Sequence, residues 1–197
     1  MKRIAVVLST LVVLLLTGAG TALLTGAVTA LPALAQDQPP FGQDSDARYA
    51  GALWQAMIDA NLVGKDAIWV KPYEGIEPHG AILTTVETSL TVDGHRGTVV
   101  VKTNYMGDGA DIETVSNDRD RFLDAYTVMF QREDGYDAEN KNWFWVKYLA
   151  DGALDRNPAG MRLAGQVAKR AGPDGDDAGC IACHKAAPGE DYLFVRD

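Results

Sequence analysis

Residues 81–105 read AILTTVETSLTVDGHRGTVVVKTNY, and their alternation decides what kind of fold the chain can make. Val, Ile and Thr dominate two runs, 81–92 and 97–105, that flank the dipeptide Asp93-Gly94. β-Branched side chains lose rotamer freedom in a helix and suit the pleated surface of a strand. Asp-Gly supplies the positive φ angles a tight hairpin turn needs. His95, Arg96 and Gly97 predict a turn longer than two residues. Alternation in the second run puts Thr98, Val100, Lys102 and Asn104 on one face, and Val99, Val101, Thr103 and Tyr105 on the other. The first face is the more polar, so taken by itself Lys102 is a solvent-facing lysine on a half-exposed strand.

Two more strand candidates follow, AYTVMFQR (125–132) and NWFWVKYL (142–149), separated by the polar segment EDGYDAENK. Strands joined by short polar turns predict a mostly antiparallel sheet of four to five strands with flanking helices, an α+β fold. Upstream, Ala50, Leu53, Trp54, Met57 and Ile58 recur at helical spacing from Ser45 onward, and the helix should end near Asn61 to Gly64. The stretch DAIWVKPYEGIEPHG (66–80) reads as a short strand and loops. Downstream, Asn157-Pro158 predicts a second helix, with Met161, Ala164, Val167 and Ala168 on one face. Lys169 and Arg170 would suit its C-terminal end, and Gly172 its stop.

The chain opens with Lys2 and Arg3, then an uncharged run from Ile4 to Leu16, and Ala33-Leu34-Ala35 precedes a polar start at Gln36. This is the pattern of an exported protein's signal peptide, the competing reading being an uncleaved anchor helix. The expected organisation is a signal peptide over 1–35, a loose Pro/Gly/Asp-rich leader over 36–44, and one domain over 45–197, in the periplasm. The mature chain of about 160 residues is long enough for one real core. Loss of Lys2 and Arg3 takes the net charge from -9 to -11. So acidic a surface argues against nucleic acid or anionic lipid as partners bound through a basic patch.

Both cysteines and one of the three histidines fall in Cys180-Ile181-Ala182-Cys183-His184. Cys-x-x-Cys-His is the attachment signature of c-type haem. Thiols one helical turn apart can reach two vinyl groups on one porphyrin edge, and the adjacent histidine can ligate the iron as its proximal ligand. Three alternatives compete. A disulfide redox pair needs no adjacent histidine. A zinc site would need His79 or His95 to complete it. A structural disulfide here would close only a tiny loop. Thirteen residues follow His184 and none is methionine. Met57, Met106, Met129 and Met161 each have an ordinary place in a core, so an open sixth position on the iron is expected. The strands also argue against the four-helix cytochrome c′ architecture.

GTVVVK (97–102), VMFQREDGYDAENKNWFWVKYL (128–149), CIACHK (180–185) and DYLF (191–194) together resemble the cytochrome P-460 family and its relative cytochrome c′-beta, over residues 68–194. The resemblance implies a homodimeric α+β domain with one five-coordinate haem c, attached at Cys180 and Cys183 and ligated by His184. In one branch of the family, the lysine of the Gly-Thr-x-x-x-Lys strand is crosslinked to the porphyrin, and Lys102 stands at that place. That branch oxidises hydroxylamine and handles nitric oxide, passing electrons to another cytochrome. The other branch lacks the crosslink and binds nitric oxide or carbon monoxide. A plain electron carrier is the third reading. Phe122, Phe130, Trp143 and Phe144 are candidates to line a distal pocket, although aromatics on strands are more often core. Asp174, Asp176 and Asp177 are candidate proton relays that solvation explains equally. His79 and His95 read as turn residues.

Overall fold

The computed structural model describes residues 41–167 and 179–194. The expectations for the signal segment, most of the leader, the end of the second helix and Asp174, Asp176 and Asp177 fall outside these residues. All described residues belong to one unit, and among them no helix is long and apolar enough to cross a membrane.

The architecture is α+β, built on a six-stranded antiparallel sheet whose spatial order follows the chain. Helix α1 (Asp44–Asp59) precedes β1 (Tyr73–Glu74), β2 (Ile82–Val92) and β3 (His95–Tyr105). Two short helices, α2 (Ile112–Asn117) and α3 (Arg119–Phe122), lead into β4 (Leu123–Gln131) and β5 (Trp143–Leu149). A two-residue β6 (Ala164–Gly165) and a one-turn helix α4 (Cys180–His184) complete the order. The four long strands are the four the alternation predicts. Of the two edge dipeptides, β1 falls in the stretch 66–80 expected to hold a short strand, and β6 is the strand that left no periodic signal.

Strand alternation divides the sheet cleanly. Val99, Val101, Tyr126, Val128, Phe130, Phe144, Val146 and Tyr148 point to one face, where the Ala50, Leu53 and Met57 stripe of α1 covers them. Each such side chain, fully buried, contributes about 1.5–3 kcal/mol. The Tyr148 hydroxyl fixes the docking by donating to the Ala50 carbonyl at 2.7 Å. Phe130 and Phe144 therefore belong to this core, and Phe122 to a satellite cluster with Ile82, Tyr105 and Val115. The other face carries Val100, Met129, Trp143 and Trp145, and packs against Val167, Ile181 and Tyr192. Of the four candidate pocket aromatics, only Trp143 lies on this second face.

Three expectations are corrected. The β2–β3 turn is two residues, because Val92 pairs directly with His95 around Asp93 (φ 48°) and Gly94 (φ 82°). His95 and Arg96 are strand residues. Among the described residues of the expected second helix, 157–167, none is helical. The Gly160 amide donates to the Asn157 carbonyl, and the Asn157 side chain accepts from the Met161 amide at 2.9 Å, which closes a turn instead. Gly160 at φ 80° cannot sit in a right-handed helix, and Ala164 enters β6. Last, the leader's final residues are part of the fold. Phe41 is 4% exposed and bridges Gly165, and the Gly42 amide donates to the Ala164 carbonyl.

Candidate functional site

The second face of the sheet is where the chemistry-bearing residues meet. Helix α4 is a single turn, seated when the Ile181 amide donates to the Val167 carbonyl and the Ile181 side chain enters the buried cluster. One turn puts Cys180 and Cys183 on the same side. Both cysteines and His184 line a cavity of about 380 Å³. Its walls are mainly apolar, from Val100, Met129, Trp145, Leu163 and Val167. A second cavity of about 300 Å³, bordered by Tyr73, Thr85, Glu87 and Phe194, shares His184 and Lys102 with the first.

His184 is buried and held on three sides. Its Nδ1 donates to the Tyr192 carbonyl at 2.7 Å, so Nε2 carries the lone pair. The Trp145 ring lies 4.9 Å away and Phe194 5.3 Å, both edge-on. Burial, with the Lys102 ammonium nearby, holds the imidazole pKa below its ordinary value and keeps it neutral. An anchored neutral imidazole with one free nitrogen is the arrangement that metal-ligating histidines use. Burial also pushes the Cys180 thiol up to about 11, the reverse of what a disulfide-exchange thiol needs. Cys180 and Cys183 stand as free thiols. Among the described residues, no three His, Cys, Asp or Glu side chains are grouped to hold a bare metal ion.

Lys102 is 9% exposed, and Asn104, two residues along the same face, is 1% exposed. The solvent-facing reading of this face is thus overturned, because α4 and the loop carrying His79 cover it. Strand register sets Lys102 between Thr85 on β2 and Thr127 on β4. On β5, Lys147 lines the same cavity and pairs with Asp155 at 2.9 Å. Of the four candidate methionines, Met129 lines the cavity, Met161 packs against the cluster on the same face, Met57 belongs to the opposite core and Met106 is 40% exposed.

Sequence reasoning passed over His79. Its ring lies 6.1 Å from that of His184, with the planes at 87°. It sits on the wall of the larger cavity, and its Nδ1 is 3.0 Å from the Thr127 hydroxyl. His95 is at the hairpin end of β3, away from this cavity, against Phe130 and the Gln131 carbonyl. The convergent set can hold a flat, largely apolar group, anchored covalently at two thiols and axially at an imidazole. Comparison with protein-family models, with curated proteins and with solved structures gave no match to this chain.

Proposed function

We propose that the cavity houses one haem c, joined through thioethers at Cys180 and Cys183 with His184 as axial iron ligand, in a domain exported to the periplasm. The observation that carries this reading is convergence: both thiols, the His184 imidazole and Lys102 border one apolar cavity. Trp145 adds support, because its indole N–H is buried and meets no acceptor among the described residues. A bound group bearing oxygen atoms would satisfy it. Haem, when bound, supplies one-electron chemistry and a coordination site for small molecules.

The chain's own residues do the rest. The Tyr192 carbonyl orients the His184 ring and raises its basicity as a ligand. The apolar walls exclude water. Lys102 stands at the cavity wall, where a crosslink to the porphyrin would form. The reactants are small nitrogen compounds, hydroxylamine or nitric oxide, with a second cytochrome as electron partner and a homodimer as the assembly. Gas binding without turnover is the alternative within the same site. A pyridine haemochrome assay on the protein, produced with haem-attachment machinery, tests the core of the reading. Haem is expected to remain on the denatured chain, to be held by one bond in Cys180→Ser or Cys183→Ser, and to be lost in the double variant. Protein that carries no covalent haem would end the reading.

A further inference from the structure

His79 is placed by a loop that only glycine permits. A Cβ on Gly75 would lie 2.1 Å from the Gly80 carbonyl oxygen, and one on Gly80 would meet Met106 at 2.9 Å and the Tyr105 carbonyl at 3.1 Å. The loop closes flat through the Gly75 amide, which donates to the Ala81 carbonyl, and the His79 amide, which donates to the Ile76 carbonyl. This folds His79 over β4, where Thr127 fixes the direction of its hydrogen bond. The Thr127 hydroxyl donates to the Asn104 side-chain oxygen at 3.2 Å and so accepts from His79 Nδ1. His79 Nε2 is left with a lone pair, as is His184 Nε2.

The spacing decides between two roles for this second imidazole. Two metal–imidazole bonds of about 2 Å, with each nitrogen about 1 Å from its ring centre, put the ring centres about 6 Å apart. A distal base reaching a small molecule bound to the iron by a hydrogen bond of about 2.8 Å would need about 8–9 Å. The observed 6.1 Å matches the first.

We propose that His79 is the second axial nitrogen ligand, so that the iron is clamped between His79 and His184 at rest. A small molecule then binds only by breaking the bond to His79 and taking its place. This rests on the haem reading and replaces the open sixth position expected from the sequence.

The test uses the protein with haem attached. Absorption and electron paramagnetic resonance spectra are expected to be low-spin in the wild type. His79→Ala should turn them high-spin at unchanged haemochrome content, and millimolar imidazole should restore the low-spin form. Thr127→Val, which keeps the ligand and loses its anchor, should give a mixture. Carbon monoxide should bind reduced His79→Ala at least tenfold faster than wild type. High-spin wild-type protein, or a His79→Ala variant that stays low-spin through another ligand such as Met129, would overturn the proposal and leave covalent haem intact. Absence of haem from the chain would instead overturn the cofactor reading.

Discussion

The imidazole of His184 stands edge-on to the indole of Trp145, with 4.9 Å between ring centres and 66° between planes. Trp145 is in the middle of β5, paired with Met129 on one side and Gly165 on the other, so the ring that braces His184 has little freedom. Trp145→Ala should destabilise haem-free protein by about 3–5 kcal/mol through the cavity it leaves. Trp145→Phe keeps an aromatic wall and removes an N–H that has no acceptor among the described residues, so its change should be under about 1.5 kcal/mol. Urea denaturation of protein expressed without haem attachment checks the pair. Equal losses in the two variants would mean that the indole N–H is satisfied by something unseen.

Lys102 separates closeness from bonding. A lysine–porphyrin bond would distort the macrocycle, and its sign would be a broadened, red-shifted Soret band in the wild type. Lys102→Arg keeps the positive charge but cannot make that bond. The variant should show an ordinary haem c band, and protease digestion should release its residue-102 peptide free of haem. Attachment at Cys180 and Cys183 should persist. A shifted band that survives in Lys102→Arg would remove Lys102 from the haem edge.

How far the sequence carried these arguments depended on how local each signal was. The four long strands and α1 were legible because alternation and helical spacing act over a few residues. The face assignment of Lys102 was legible for the same reason, whereas its burial was not. That burial comes from α4 and the loop carrying His79, which lie on either side of Lys102 in the chain and far from it in sequence. Asn157-Pro158 misled because a capping asparagine and a turn asparagine look alike, and the positive φ of Gly160 settles the matter. His79 was invisible because its anchor, Thr127, is 48 residues away. Gly75 and Gly80, flanking the loop, were the one local hint.

A pH prediction comes from the clamp that closes the opposite core. The Arg132 guanidinium lies 3.7 Å from the Tyr49 ring centre and 4.6 Å from that of Tyr136. It donates twice to Glu133, at 2.8 and 2.6 Å. These bonds hold the Glu133 carboxyl down to about 2, from an ordinary 4.5. A lowered carboxyl stabilises the fold above the unfolded value and loses that effect as pH falls. The contribution should thus be complete above about pH 4.5 and fade towards about pH 2. Glu133 is half exposed, so salt should shrink the effect. Urea midpoints measured against pH should fall less steeply in this window for Glu133→Gln than for wild type. Identical slopes would show that the pair contributes nothing.

The glycine that opens the GTVVVK strand has a steric reason to be there. A Cβ on Gly97 would lie 2.0 Å from the Gln131 carbonyl oxygen and 3.1 Å from the Phe130 ring. Neither neighbour can yield, since Phe130 is fully buried and pairs with Val99 across β3 and β4. Gly97→Ala must therefore push the two strands apart at the end of their ladder, with an expected loss of about 2–3 kcal/mol. Gly51 is the control of opposite sign. It lies on the exposed side of α1, and an added Cβ there meets nothing within 4 Å. Gly51→Ala should raise stability by about 0.5–1 kcal/mol, because alanine loses less backbone entropy in a helix. Thermal and urea midpoints of the two variants should move in opposite directions. If Gly97→Ala is as mild as Gly51→Ala, the close approach of β3 to the Gln131 carbonyl is not a feature of the folded protein.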